Sequence, residues 1–404
     1  MKSFNINGGC SPKLHYMVNL DARLQAIGNM VQKGQYFTIN RARQYGKTTT
    51  LQALEKYLQK DYTVISLDFQ LLSSGDFENE YTFVEAFSEE LLSSKTADFP
   101  EEIKSELREF AGGRENVRLS RLFRCLSRWC AGADKKIVLM IDEVDSAANN
   151  QVFLDFLAQL RGYYIQRDKR AAFQSVILTG VYDIKNLKRK FAGEDERKVN
   201  SPWNIAADFL VDMDFSKEDI RGMLEEYEQD YKTGMDTWGM AGLIYDYTSG
   251  YPFLVSKLCK IIDEQISGSP DYPDKRSFWT KNGFLEVVKI LLAEKNTLLE
   301  SLIGKLEAYP ELKSVLYSLL FCGQDIAYNP DDSLTDMALM FGFIKKEGEK
   351  IAVANRIFET RIYNYFLTAT AMKSFMRKTK IFPPVRLEHY SRDGHSGRFF
   401  PTQT

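Results

Sequence analysis

The chain has 404 residues, 44% hydrophobic and 27% charged, which is long enough for two or three domains with real cores. A net charge of −2 argues against a broadly basic coat for nucleic acid, and no apolar run approaches the roughly 18 residues of a membrane span. Five scattered cysteines without metal spacing, three histidines and an N-terminus without an apolar signal core argue against a disulfide framework, a His-rich metal site and export, so the expected location is the cytoplasm.

The first informative stretch is "QYFTI" (Gln35–Ile39), a short apolar, aromatic and β-branched run that predicts a buried strand. Leu51, Leu54, Tyr57 and Leu58 follow at three- and four-residue spacing and predict a helix from about Lys47. Between them lies "NRARQYGKTTT", which matches the phosphate-loop pattern G-x-x-x-x-G-K-[ST] except that Arg41 stands at the first glycine. Strand, tight turn and helix are the context that motif requires, because amide groups at a helix start cradle an anion. Arg43, Gln44, Tyr45, Gly46, Lys47, Thr48 and Thr49 are then the candidate phosphate contacts. Lys47 would reach the β- and γ-phosphates, and the Thr48 hydroxyl would ligate Mg²⁺. The competing reading is Gly-Lys-Thr on an ordinary surface helix.

"YTVISLDF" (Tyr62–Phe69) predicts the next strand, followed by a long helical stretch from about Tyr81 to Ala131. "KKIVLMIDEVDS" (Lys135–Ser146) then carries an apolar run ending in two acids, the Walker B form of a buried parallel strand. Asp142 would hold the Mg²⁺ shell, and Glu143 would orient and deprotonate the attacking water. Coming downstream of the phosphate loop, this stretch turns the loop into a nucleotide site. A helix around Phe153–Ile165, a strand "QSVILTG" (Gln174–Gly180) and a last strand "ADFLVDMDF" (Ala207–Phe215) complete an alternation that predicts a helix-wrapped parallel sheet.

From Lys217 to about Leu306 the pattern is helical, opened by a cap at Ser216. Helices over Glu311–Phe321 and Ser333–Phe341 lead into "FGFIKKEGEKIAVAN" (Phe341–Asn355), which predicts a hairpin around a charged turn, and a helix over Arg356–Phe366 follows. Helices followed by a hairpin are the winged-helix arrangement. Residues from Leu367 onward read as a basic, poorly patterned tail. The expected division is 1–215 as ATPase domain, 216–307 as helical lid, 308–366 as winged helix and 367–404 as tail.

On these motifs the chain resembles the AAA-like, STAND-type branch of P-loop ATPases, from about Tyr16 to Phe366. In that group the loop commonly reads like "RARQYGKT", which would make Arg41 a family trait. The resemblance implies a five-stranded parallel sheet in the ASCE order, with the sensor strand between the Walker A and Walker B strands. It implies that Thr179 sits near the γ-phosphate and the attacking water, and that Pro252, in "TSGYPFLVSKLC", packs on adenine while Gly250 permits the turn; Pro252 also suits the first turn of a helix. "YMVNLDARLQAI" (Tyr16–Ile27) makes Met17 and Val18 further adenine candidates, or else core. Arg41, Arg43, Arg189 and Arg197 compete for a charge-stabilising role, against the default of a solvated basic face. The expected ligands are ATP or ADP with Mg²⁺, and the expected behaviour is a nucleotide-driven switch with a protein partner or self-association. Two alternatives stay open: duplex contact through the winged helix, favoured by Lys345, Lys346, Arg377, Lys378 and Lys380, and a winged helix used only for protein contacts. "SLTDMALMFGF", without Arg or Lys, argues against direct base reading.

Overall fold

A computed structural model describes residues 1–94, 96, 98–113, 116–181, 202–265, 270, 272–323 and 325–378, with side chains to residue 369. Met1–Arg361 forms one compact unit and Ile362–Thr404 a second. Four strands, β1 (Phe37–Asn40), β2 (Thr63–Asp68), β3 (Ile137–Asp142) and β4 (Ser175–Gly180), form a parallel sheet in the order β1-β4-β3-β2. β4 therefore lies between the strand before the phosphate loop and the strand ending in Asp142. Every residue of β3 and β4 is buried, as expected for a strand covered on both faces. The connecting helices are α1 (Asp21–Gln32), α2 (Lys47–Leu58), α3 (Glu80–Ser93), α4 (Glu101–Ala111), α5 (Leu119–Gly132) and α6 (Gln151–Ile165). Phe69, Phe83, Phe87, Phe153 and Phe156 pack edge-to-face and tilted against one another in the core between sheet and helices.

The stretch Tyr81–Ala131 is three helices rather than one. Pro100 stands at the N-cap of α4, where a missing amide hydrogen costs nothing, and Gly113 takes φ +59 just beyond its end. The fifth strand expected over Ala207–Phe215 is not formed. Only Ala207 pairs with β1, donating its amide to the Tyr36 carbonyl at 2.8 Å in an isolated parallel bridge with Phe37. Beyond it the carbonyls turn to guanidinium groups instead of a strand: Val211 accepts from Arg41 at 3.2 Å, and Asp212 and Asp214 from Arg23 at 3.2 and 3.4 Å. Leu210, 89% exposed, has no layer to pack against.

The later helices are α7 (Lys217–Tyr231), α8 (Thr237–Thr248), α9 (Pro252–Glu264), α10 (Lys275–Phe278), α11 (Lys281–Ala293), α12 (Thr297–Ala308), α13 (Pro310–Phe321) and α14 (Ser333–Met340). Ser216 caps α7 in a reciprocal box with Asp219. An antiparallel hairpin of β5 (Ile344–Glu347) and β6 (Lys350–Val353) turns at Gly348, whose φ of +62 suits a two-residue loop. The last helix, α15 (Arg356–Lys378), runs a further twelve residues past the expected end at Phe366, so its last turns replace the unpatterned start of the tail. Residues 379–404, including Lys380, lie outside the described residues, as do Arg189 and Arg197.

Gly250 joins the two halves of the first unit. Its φ is +77, its carbonyl accepts from the Phe215 amide at 2.9 Å, and a Cβ there would lie 2.2 Å from the Phe215 carbonyl oxygen. Gly250→Ala should therefore destabilise the chain by at least ~2 kcal/mol in chemical denaturation, from strain and collision together. Gly304→Ala, at an exposed position of α12 with nothing within 4 Å of its Cβ, should instead stabilise by about 0.5–1 kcal/mol.

Candidate functional site

Parallel register aligns the carboxyl ends of three strands: Asn40 stands beside Gly180, Ile39 beside Thr179, and Ile141 beside Leu178. The loop leaving β1 continues the ladder for one bond, with the Arg41 amide donating to Gly180 at 3.2 Å. It then turns through two left-handed residues, Gln44 at φ +60 and Gly46 at φ +74, before α2 begins at Lys47. Arg41 is not among the positive-φ residues, so the position that usually carries the first glycine has no need of one here. Its guanidinium stays with the Asn40 and Val211 carbonyls and lies over the Phe209 ring, 5.5 Å from its centroid. Gln44 is the strained residue, a non-glycine held left-handed in the phosphate loop.

Lys47 is 7% exposed, and its ammonium donates to the carbonyls of Arg41 at 3.0 Å and Ala42 at 3.2 Å. Burial pushes its pKa below the ordinary lysine value, opposed by Glu143, Asp145 and Asp142. Thr48 donates to Asp142 Oδ2 at 2.9 Å. The other oxygen of Asp142 accepts from the Glu143 amide at 2.9 Å and from the Thr179 hydroxyl. Thr179 is thus fully buried and orients Asp142, without itself lining the cavity described next. Glu143 is held left-handed at φ +51, and burial chiefly, with help from neighbouring carboxylates and against Lys47, raises its pKa.

A cavity of about 740 Å³ opens on Gln44, Lys47, Thr48 and Glu143, with Asp142 and Thr179 behind them. The loop from Arg43 to Thr49, Glu143, Met17, Val18 and Pro252 all line it. Pro252 also opens α9 at its first turn. Arg43 lines the cavity as well, so of the two loop arginines it is Arg43 that faces the ligand space and Arg41 that braces the neighbouring segment.

A family model described as an AAA-like domain matches residues 13–269. The chain belongs to the AAA-like domain family of P-loop NTPases. Among solved structures, this AAA-like chain is similar to the Walker-type ATPase PABY2304 of Pyrococcus abyssi, at TM-score 0.59 and 13% identity over 89% of this chain and 99% of that one. It is also matched by the ORC2 protein of Aeropyrum pernix at TM-score 0.46 and 12% identity (87% and 93% covered), and by the RuvB branch migration motor of Thermotoga maritima at TM-score 0.40 and 10% identity (85% and 94% covered). At 13% identity the likeness to the Pyrococcus abyssi ATPase shows a shared fold alone. Curated proteins return no significant match.

Several cavity residues carry little or no mark in the sequence. Asn5, Ile6, Asn7, Gly8 and Cys10 reach the cavity because the Cys10 amide donates to Thr49 Oγ1 at 3.0 Å and because Phe4 is buried among Tyr16, Tyr227 and Trp279. Asp145 reaches it through the Val181 amide, at 2.5 Å, beside Gly180, where a Cβ would meet its carboxylate at 2.6 Å. A third acid after Asp142 and Glu143 was the available signal for Asp145. Tyr45 and Tyr251 meet edge to face at 4.5 Å; Tyr45 donates to Asp214 Oδ1 at 2.6 Å and Tyr251 to the Arg43 carbonyl. Burial raises the Asp214 pKa, and the Tyr45 hydrogen bond opposes that rise. Tyr45→Phe should leave this half-buried carboxylate short of a donor, at a cost of about 1 kcal/mol. Urea denaturation of the two proteins measures it, and equal midpoints would show the bond to be dispensable.

Proposed function

We propose that this chain binds ATP with Mg²⁺ and hydrolyses it, and the observation that carries this reading is the convergence of Lys47, Thr48, Asp142 and Glu143 at the aligned ends of β1 and β3. The amides of the loop from Arg43 to Thr49 and the start of α2 favour the phosphates. Lys47, now turned back on the loop carbonyls, exchanges those partners for β- and γ-phosphate oxygens. The donor set fits Mg²⁺: one hydroxyl and one carboxylate oxygen lie 2.9 Å apart, and the second oxygen of Asp142 is held by an amide and a hydroxyl. When bound, Mg²⁺ would supply neutralising charge on the β- and γ-phosphates. Glu143 accepts the proton of the attacking water, and its raised pKa makes it a stronger base for that proton. Thr179 serves this chemistry through Asp142. Met17, Val18 and Pro252 pack on adenine.

The finer reading is a STAND-type switch, with residues 216–307 (α7 to α12) as lid and residues 308–366 (α13 to the first part of α15) as winged helix, whose partner is a protein or a second copy of the chain. Support comes from contacts that the later elements make with the phosphate loop, through Tyr251, Thr297 and Gly342. Duplex contact by the wing has less support: Lys345 donates to Ser249 at 3.1 Å, and the Lys346 ammonium lies 4.5 Å from the Tyr328 ring centroid. No described helix is long and apolar enough to cross a membrane.

Lys47→Ala should abolish ATP binding in calorimetry while the far-ultraviolet spectrum and melting temperature remain those of a folded chain. Glu143→Gln keeps size and shape but removes the base, so ATP should still bind, and single-turnover hydrolysis should fall by ~10²–10⁴-fold. Undiminished ATP affinity in the first variant would refute the phosphate-loop assignment; undiminished hydrolysis in the second would move the base elsewhere.

A further inference from the structure

A parallel sheet sends all its strand starts to one edge, and here that edge lies opposite the phosphate loop. The turns that reach it are stitched side by side. The Thr63 amide donates to the Lys136 carbonyl at 3.0 Å, the Gln174 amide to the Ile137 carbonyl at 2.8 Å, and Arg167 Nη1 to the Gly34 carbonyl at 3.2 Å. These bonds set Lys60, then Lys135 and Lys136, then Arg167, Lys169 and Arg170 in a row across the sheet. Lys33, before β1, ends the row, and all seven side chains are exposed. The carboxylates in the same turns are Asp61, Asp134 and Asp168, so cations outnumber anions here although the whole chain carries a net charge of −2. Among the described residues no ion pair neutralises any of the seven. Their partners are carbonyls and rings instead. Lys135 Nζ donates to the Gln59 and Lys60 carbonyls at 3.2 and 2.9 Å, which holds it beside a second lysine. The Arg167 and Arg170 guanidiniums lie 4.5 and 5.9 Å from the ring centroids of Tyr164 and Tyr163. Like charges held together without a counterion repel, and an outside polyanion relieves that repulsion.

We propose that this edge of the sheet is a docking face for the sugar-phosphate backbone of duplex nucleic acid, separate from the nucleotide cavity and from the hairpin lysines. Spacing and chemistry both select that polyanion. Neighbouring strands are about 4.8 Å apart, so the turns span roughly 15 Å, a length of duplex that carries about nine phosphates. A guanidinium stacked on a ring keeps its N–H groups in its own plane, where they can meet phosphate oxygens in pairs. A lipid surface would in addition call for a cluster of exposed apolar side chains, and α6 offers a single one, Ile165, 59% exposed. Contacts of this kind position a duplex without reading its bases, so the binding is indifferent to sequence.

The test is fluorescence anisotropy of the full chain with a labelled DNA duplex of about 20 base pairs and arbitrary sequence, titrated at several KCl concentrations. The parent protein should bind, with an affinity that falls as salt rises. Arg167→Gln, Lys169→Gln and Arg170→Gln together should weaken binding at least about tenfold at low salt, and should make log affinity against log salt shallower by about two to three. Lys217→Gln, Lys260→Gln and Lys289→Gln, an equal loss of charge at ion-paired positions, should leave the affinity within about twofold. Should the edge variant fail to fold, Lys136→Glu with Lys169→Glu, both exposed, decides by the same comparison. A parent that does not bind duplex, or an equal loss in the ion-paired control, would overturn the proposal. So would a loss confined to Lys345→Gln with Lys346→Gln, which would move the contact to the hairpin. Tighter binding to phosphatidylserine vesicles than to duplex at the same salt would overturn it in favour of a membrane.

Discussion

Parallel pairing of β1, β4 and β3 brings three strand ends to one edge, and the chemistry of the site hangs on that alignment. With Asn40 beside Gly180 and Ile141 beside Leu178, the loop after β1 opens next to Asp142, so Thr48 of α2 can reach its carboxylate. A slip of one residue in β4 would turn Thr179 to the other face and leave an oxygen of Asp142 without its hydroxyl donor. The strands are buried on both faces, so their apolar side chains resist such a slip.

A second constraint comes from outside the sheet. Residues Ala42 to Tyr45 each meet an element that follows the parallel sheet in sequence: Ala42 meets Gly342, the Arg43 carbonyl meets Tyr251, Gln44 meets Thr297, and Tyr45 meets Asp214 and Tyr251. The loop is therefore shared property of the sheet and the later helices. Its left-handed Gln44 is held by tertiary contacts, where local preference alone would release it. Any change of loop shape on phosphate binding must be felt at α9, α12 and the turn before the hairpin.

Two departures from the sequence reading have different causes. The Ala207–Phe215 segment has the apolar composition of a strand, yet its carbonyls are taken by Arg23 and Arg41 after a single bridge to β1. The stretch from Tyr81 to Ala131 has helical periodicity throughout, yet Pro100 and Gly113 bend it into three helices that wrap one aromatic core. Side chains distant in sequence decided the first; backbone restrictions visible in the sequence decided the second.

The phosphate loop, the acid-ended strand and the helix caps were legible because each depends on residues within a dozen positions of one another: strand before loop, glycine before lysine, buried run before Asp142. Membership of the P-loop class, and the choice of Lys47, Thr48, Asp142 and Glu143 as candidates, followed from that local chemistry. Only the tertiary structure brought Asn5 to Cys10, Thr297 and Lys305 to the same cavity, turned Arg41 away from it and set Thr179 behind Asp142. Those placements depend on the packing of Phe4, of the α12 leucines and of Tyr251, each between elements far apart in the chain, and such packing leaves no periodic trace at the residues it positions.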